Sequence, residues 1–396
     1  VWYVEVNAAT QGDKVTAIFS WAEDLQPDTI EQINNTANLP VVEHLAVMPD
    51  AHLGYGCCIG SVIGTKDAII PSAVGVDIGC GMTAVKLSAN ADHLPDDLSG
   101  IRDSIAKAIP AGMGNGNDLA SRQAENFMED SVNHVELTDK QAKTALRQLG
   151  SLGSGNHFVE VSLDENNEVW IVLHSGSRGI GNQLAQSHIK IADAIDRSWD
   201  GKDADNNIGW LNEGTPEFDH YVRELNWAQK YAAANRRIMI QQAVEAFGSH
   251  FPEGLEALDF ISCHHNYAEI EVHGEQEMFV TRKGAIRALQ GDRGIVPGSM
   301  GTSTFIVEGL GHHDALASSA HGAGRVMSRN KARKNLSVES LHEAMQGRTW
   351  LDNSAKALLD EHPAAYKDIQ RIMEIQDGVL TNRLHELTAI VNYKGA

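Results

Sequence analysis

Residues 71–82, Pro-Ser-Ala-Val-Gly-Val-Asp-Ile-Gly-Cys-Gly-Met, constrain this chain more than any other stretch. Glycine inside a helix costs about 0.5–1 kcal/mol relative to alanine, so Gly75, Gly79 and Gly81 argue against a helix and for a tight loop that approaches a ligand closely. Asp77 and Cys80 would then face one bound species. A hard carboxylate and a soft thiolate three residues apart suit a transition metal such as Mn, Fe, Co or Zn, with histidines completing the set. An isolated D-x-x-C is more often a glycine-rich turn with a buried cysteine. The remainder of the chain shifts that balance.

With 396 residues the chain can form one large domain or two ordinary ones. Its net charge of -21 favours solubility and disfavours a polyanionic partner at first sight. The distribution is uneven: Thr281–Asn335 carries +6 and the rest -27, so a basic island is a candidate phosphate-handling surface, with a mixed solvated face as the alternative. Four cysteines, at 57, 58, 80 and 263, show no disulfide framework, which points to a reducing cytoplasm. No signal-like start or membrane-length apolar run is present.

Along the chain, Val1–Val6 reads as a short strand and Asp24–Leu39 as a helix. An apolar strand from Val41 ends in Pro49, Asp50, His52 and two glycines, and polar groups on such a loop are common in active sites. Residues 91–150 read as helices with acidic faces and a mobile glycine-rich joint at Ala111–Gly116. A hairpin follows, and a tip at Glu165-Asn166 pairs His157 directly with His174, whose Cβ atoms would lie roughly 4.5–5.5 Å apart. Ser175–Gly179 resembles an anion-binding turn opening a helix over Ile180–Ser198. Thr215-Pro216-Glu217 starts a helix that runs to Phe247 with Gly248 as its stop. Asn226, Gln229, Asn235 and Arg236 on that helix read by default as a solvated face. His264 and His265 end another strand, Ile295–Thr302 is turn-rich, His321 sits in a glycine-rich loop, and Arg325 and Arg329 would share one face of the helix that follows.

Candidate ligands of metal type are therefore Asp50, His52, Asp77, Cys80, His157, His174, His265 and His321. They exceed the needs of one zinc site and suit two metals about 3.5–4 Å apart, as in phosphoryl-transfer enzymes.

Met48–Gly54, Val74–Met82, Gly155–Glu160, His174–Gly179, Pro297–Gly301 and His321–Arg325, in this order, resemble the RtcB family of RNA-splicing ligases. The likeness spans residues from about 41 to the carboxyl end, far more than a single short pattern. It implies an α+β fold of mixed β-sheets flanked by helices, neither Rossmann nor P-loop, forming a single catalytic domain over residues 1–396. It implies a GTP- and Mn²⁺-dependent ligase, cytoplasmic and monomeric. Such an enzyme joins RNA ends bearing a 3′-phosphate or 2′,3′-cyclic phosphate to 5′-hydroxyl ends through a histidine-GMP intermediate, in tRNA splicing or RNA repair.

Carried over to this sequence, the resemblance makes Cys80 the bridge between two Mn²⁺ ions. Asp77 and His157 complete one ion, His174 and His265 the other, with His265 chosen over His264 on the family's His-Asn pair. His321 would be the nucleophile. GTP would be held by Asn156, Phe158, Glu160, Pro297, Gly298, Ser299, Met300, Thr302, His321, Ala323, Gly324, Tyr366 and Lys394. Arg178, Lys283, Arg325 and Arg329 would meet RNA phosphates, with Asp50 and His52 behind the metals. A binuclear metal-dependent phosphoesterase would need the metals but no GTP pocket. A catalytically silent RNA-binding factor would need only the basic island.

Overall fold

The computed structural model describes residues 16–200 and 207–395, so the strand expected over Val1–Val6 lies outside the described residues. Two large sheets dominate. The seven-stranded sheet runs Arg293–Pro297, Thr304–Gly309, Thr381–Lys394, Phe158–Leu163, Glu168–Ser175, Gly81–Asn90, Ala257–His264, with every neighbouring pair antiparallel. The five-stranded sheet runs Ala17–Ser20, Val42–His52, Ile59–Thr65, Gln276–Lys283, Asn266–His273, and its first pair is parallel. The fold is α+β with mixed sheets, as the resemblance implies. His265 is the single residue between the last strand of one sheet and the edge strand of the other. The sheets therefore meet at a ligand-type side chain.

Period-two alternation explains why both sheets are covered on both faces. In the larger sheet Val85, Leu87, Val159, Val161, Val169, Ile171 and Leu173 pack with Met239, Ala243 and Phe247 of the helix Pro216–Gly248. The alternate residues Met82, Ala84, Trp170 and Val172 pack with Ile261, Ile295, Ile306 and Leu387. That helix starts and stops where the sequence indicates: the Thr215 hydroxyl accepts from the Phe218 N–H at 3.3 Å, Pro216 opens the first turn, and Gly248 is the last residue. Among the described residues no helix is long and apolar enough to cross a membrane.

Four local expectations are corrected. Pro71–Val74 forms one helical turn, opened by the proline, and the glycine-rich loop proper begins at Gly75, whose φ of 88° ends the turn. In the hairpin Phe158, not His157, pairs with His174. The register shifts by one because Asn167 adopts the left-handed conformation, φ 61°, and makes a three-residue tip, a conformation asparagine tolerates. Arg325 precedes the short helix Arg329–Asn335, which is capped by Ser328, so the two arginines do not share a helix face. Finally, Asn235 and Arg236 are buried, at 0% and 1% exposure, instead of solvated.

Those two side chains organise the backbone beneath the Asp77 loop. Asn235 Oδ1 accepts from the N–H groups of Gly150 and Ser151, and its Nδ2 donates to Ser151 O, Ser175 Oγ and Gly176 O. Arg236 donates to Gly79 O at 2.7 Å and Ser175 O at 3.1 Å. One helix thus fixes the loops that carry Cys80, His174 and Arg178. The joint at Ala111–Gly116 is also pinned, by Gly112 N–H to Gly153 O at 2.7 Å and by Arg178 to Asn115 O at 3.2 Å. Asn235→Ala strands several buried backbone groups and is expected to lower the unfolding free energy by about 2–4 kcal/mol in urea denaturation. A change within about 0.5 kcal/mol would show that water replaces the amide without loss.

Candidate metal and nucleotide site

The loop residues converge where the sheets meet. Cys80 Sγ lies 3.2 Å from His174 Nε2 and 3.5 Å from His157 Nε2, and His157 Nε2 lies 3.0 Å from Asp77 Oδ2. His174 Nε2 faces His265 Nε2 at 3.2 Å, and the His265 and His321 rings stack edge to face with centroids 4.9 Å apart. His157 escapes the consequence of the shifted register because it sits just before its strand, outside the ladder. His264 turns the other way, to Gly79 O and Arg236. Gly176 has no side chain where one would collide with Asp77: a Cβ there would come within 2.1 Å of Oδ1.

The donor set fits a divalent transition metal on electrostatic grounds. His157 Nδ1 is 2.9 Å from Leu152 O and His174 Nδ1 is 3.1 Å from Asn156 O. Carbonyl oxygen only accepts, so each ring carries a proton on Nδ1; Nε2 of His174 is turned to the Cys80 sulfur, and Nε2 of His157 to both that sulfur and the Asp77 carboxylate. Burial and neighbouring imidazoles hold His174 and His265 well below the ordinary histidine value, so both are neutral. Burial, with the Asp77 charge adding to it, pushes the Cys80 thiol well up; a cation alongside inverts that balance and leaves a thiolate. Converging lone pairs repel without a cation between them. Cys80, His157 and His174 present ligand atoms all within 4.8 Å of one another.

Asp50 is fully buried within its strand, and its Oδ2 lies 2.7 Å from His321 Nδ1. The contact is an ion-pair approach without aligned hydrogen-bond geometry, and it stands on the Nδ1 side of the ring, leaving Nε2 for chemistry. His52 Nδ1 is bonded to Asp50 O at 2.9 Å, and burial pushes this imidazole down to about 4.

Beside these groups opens a cavity of about 400 Å³, inside the range of roughly 300–1,000 Å³ typical of small-molecule sites. Asn156, Phe158, Pro297, Gly298, Ser299, Met300, His321, Ala323, Gly324, Tyr366 and Lys394 line it, as do Lys283, Arg325 and Arg329. Glu160 and Thr302 stand behind the lining. Glu160 accepts from Asn392 Nδ2 at 2.6 Å and is raised by burial to about 7, whereas Thr302 Oγ1 fixes the loop by accepting from Ser299 N–H at 2.6 Å. Arg178 is not part of the lining and donates to Ser151 Oγ and Asn115 O. Lys283 turns its ammonium into the protein, onto the carbonyls of Tyr55, Cys57 and Ser72.

The basic island does not form a basic patch, because distant acids meet much of it. Arg282 is paired with Glu271, Arg287 with Asp292 and Arg293 with Asp259. Arg325 and Arg329 reach Glu361, and Arg329 and Arg333 reach Asp360 at 2.8 and 3.0 Å. Glu361 also accepts from Tyr366 Oη at 2.6 Å and pairs with Lys394 Nζ at 3.2 Å, which in turn lies 5.3 Å above the Phe158 ring. Glu361, absent from the sequence reading, is thus the hub of the cationic wall. It lies in a run of short 3-10 turns without periodicity, and no motif marks it.

The sequence model described as tRNA-splicing ligase RtcB matches residues 32–395. The RNA-splicing ligase RtcB of Escherichia coli K12 is 42% identical over 392 residues, covering 94% of this chain and 95% of that protein. RNA-splicing ligase RtcB1 of another E. coli strain is 41% identical over 391 residues, with 94% and 95% covered. The tRNA-splicing ligase RtcB of Methanococcus maripaludis is 30% identical over 423 residues, with 89% and 88% covered. These relatives are RNA ligases, the Cys80, His157 and His174 cluster fits a metal dependence, and the chain belongs to the RtcB family.

Burial raises the Glu361 carboxyl, but Lys394, Arg329 and the Tyr366 hydroxyl outweigh it and bring it down to about 2 from 4.5. A depressed acid stabilises the fold above its unfolded value and loses that contribution as pH falls through the folded one. Glu361→Gln is expected to lose about 3 kcal/mol at pH 7. Its deficit against the parent, followed by chemical denaturation, should shrink as pH drops from about 4.5 toward 2. A deficit independent of pH would remove the ionised carboxylate as its source.

Proposed function

We propose that this RtcB-family ligase acts as a single catalytic domain, joining RNA ends with a 3′-phosphate or 2′,3′-cyclic phosphate to 5′-hydroxyl ends, using GTP and two Mn²⁺ ions. The Asp50–His321 pair beside the Cys80 cluster is the observation that carries this reading. A phosphoesterase would need the cluster but not a nucleophilic imidazole braced by a buried carboxylate.

Cys80 would bridge the ions, with Asp77 and His157 on one and His174 and His265 on the other. Such ions supply Lewis acidity and neutralise charge on phosphoryl oxygens. His321 attacks the α-phosphorus of GTP through Nε2, expelling pyrophosphate, while Asp50 retains the Nδ1 proton and offsets the positive charge that develops on the ring. Lys394 and Tyr366 bound the nucleotide cavity on one side and the Pro297–Thr302 loop on the other. His321 then passes the guanylyl group to the RNA 3′-phosphate, formed from the cyclic ester by hydrolysis, and the 5′-hydroxyl displaces GMP. Phosphoryl transfer of this kind requires positioning and charge neutralisation more than proton relays.

Arg178, Arg325 and Arg329 are proposed to meet RNA phosphates, the last two by exchanging Glu361 and Asp360 for phosphate oxygens. Lys283 enters this reading as the group that ties the Tyr55–Cys57 and Ser72 loops together, not as a free phosphate donor.

Incubation with GTP and Mn²⁺ followed by intact-protein mass measurement is expected to reveal one guanylyl group. The adduct should be labile in acid and stable in alkali, as a phosphoramidate is. His321→Ala should form none yet bind RNA normally, whereas Arg329→Ala should form it and fail in joining. Loss of one single-strand phosphate contact should also flatten the slope of log affinity against log salt by about 0.7. An acid-stable adduct, or one that persists in His321→Ala, would overturn the nucleophile. Hydrolysis of a phosphoester without any GTP requirement would favour the phosphoesterase.

A further inference from the structure

A second group of metal-type ligands lies apart from everything the proposed reaction uses. His188 is on the helix Arg178–Asp200, and His220 and Glu224 are one turn apart on the facing helix Pro216–Gly248. A spacing of four puts the latter two on one helix face. His188 Nε2 lies 2.7 Å from Glu224 Oε2, His220 Nε2 lies 3.2 Å from Oε1, and the imidazoles meet edge to face with centroids 5.0 Å apart. The three ligand atoms fall within 4.8 Å of one another.

The charge balance of this group is incomplete. The Glu224 side chain is only 5% exposed and among the described residues no lysine or arginine is paired with it; the adjacent Arg223 turns to Glu136 at 3.4 Å. Burial raises its carboxyl, yet the bond to His188 and both imidazole charges hold it below the ordinary value. A buried carboxylate requires a counter-charge, and among the described residues the two imidazoles are the only basic groups in contact with it. His188 is 1% exposed, and among the described residues its Nδ1 has no partner, so Glu224 is the group that orients the ring.

We propose that His188, His220 and Glu224 form a zinc-class divalent cation site that staples the two helices together. Two imidazole nitrogens and one carboxylate match zinc sites that keep a fourth position for water. Ligands at about 2.0–2.2 Å in a tetrahedral shell lie roughly 3.3–3.5 Å apart, so a cation would open the 2.7 Å His188–Glu224 pair by about 0.7 Å. The His220 side chain, 39% exposed, opens the fourth position to solvent. His188 lies ten residues along its helix from Arg178, about 15 Å, so the site shares no ligand with the Cys80 cluster. The staple would join the helix that begins at Arg178 to the one that carries Asn235 and Arg236. A proton on His188 is the competing counter-charge.

The test counts zinc in the Cys80→Ala chain, stripped with chelator, equilibrated with Zn²⁺, desalted and analysed by plasma mass spectrometry, against Cys80→Ala/His220→Gln. The second variant is expected to hold one equivalent less, and zinc should raise the thermal midpoint of the first alone. Cobalt(II) in the first should give d–d bands without a sulfur charge-transfer band. Equal zinc content with equal thermal shifts in the two would overturn the site and leave protonated His188 as the counter-charge. Should His220→Gln not fold, Glu224→Gln, which keeps the shape of the carboxylate, makes the same comparison.

Discussion

Ligand atoms converging on one sulfur are the constraint on which the rest depends. With Nδ1 of His157 and His174 committed to backbone carbonyls, their Nε2 atoms crowd against the Cys80 sulfur, the Asp77 carboxylate and the facing Nε2 of His265. Such an arrangement is unfavourable in a dry interior unless a cation offsets it. The surrounding structure therefore has to hold the donors together against their repulsion. Arg236 and Asn235 do so by fastening the carbonyls and N–H groups of the loops from behind, where the helix Pro216–Gly248 passes under both sheets.

The opposite wall of the cavity works with the reverse sign. Arg325, Arg329 and Lys394 would repel one another, and Glu361 with Asp360 keeps them in place. A carboxylate stands where phosphate oxygens carry the same charge and a similar fork of acceptors, so the wall is preorganised for an anion while the protein supplies one itself. On the proposed reading, binding a polyphosphate becomes an exchange of partners, with less desolvation than filling an empty cationic pocket would need.

What could be read from the sequence follows from how local each signal is. Asp77, Cys80 and His157 stand in glycine-rich loops and His174 at a strand end beside one, where short-range composition marks close backbone approach, and the long helix was framed by Thr215, Pro216 and Gly248. The hairpin register depended on one asparagine adopting a positive φ, which composition permits but does not dictate. Burial of Asn235 and Arg236 depended on what lies across the helix, so a polar stripe that looked solvated was the anchor for the site. The charge island misled for the same reason: a count along the chain cannot see Glu271, Asp259 or Glu361 arriving from elsewhere. His265 carries no periodic signal, because it is the lone residue between two strands of different sheets.

The strand Thr381–Lys394 lies in the interior of the larger sheet, between Thr304–Gly309 and Phe158–Leu163. During synthesis the hairpin bearing His157 and His174 is made long before the strand that must lie alongside it, and until then its edge stays open to unwanted pairing. The nucleotide wall and the metal loops become one surface only when that strand zips the two halves together. A nascent chain can bring Asp77, Cys80, His157 and His174 together before Lys394 has been made, so on the proposed reading the wall that carries Lys394 is the last part of the site to form.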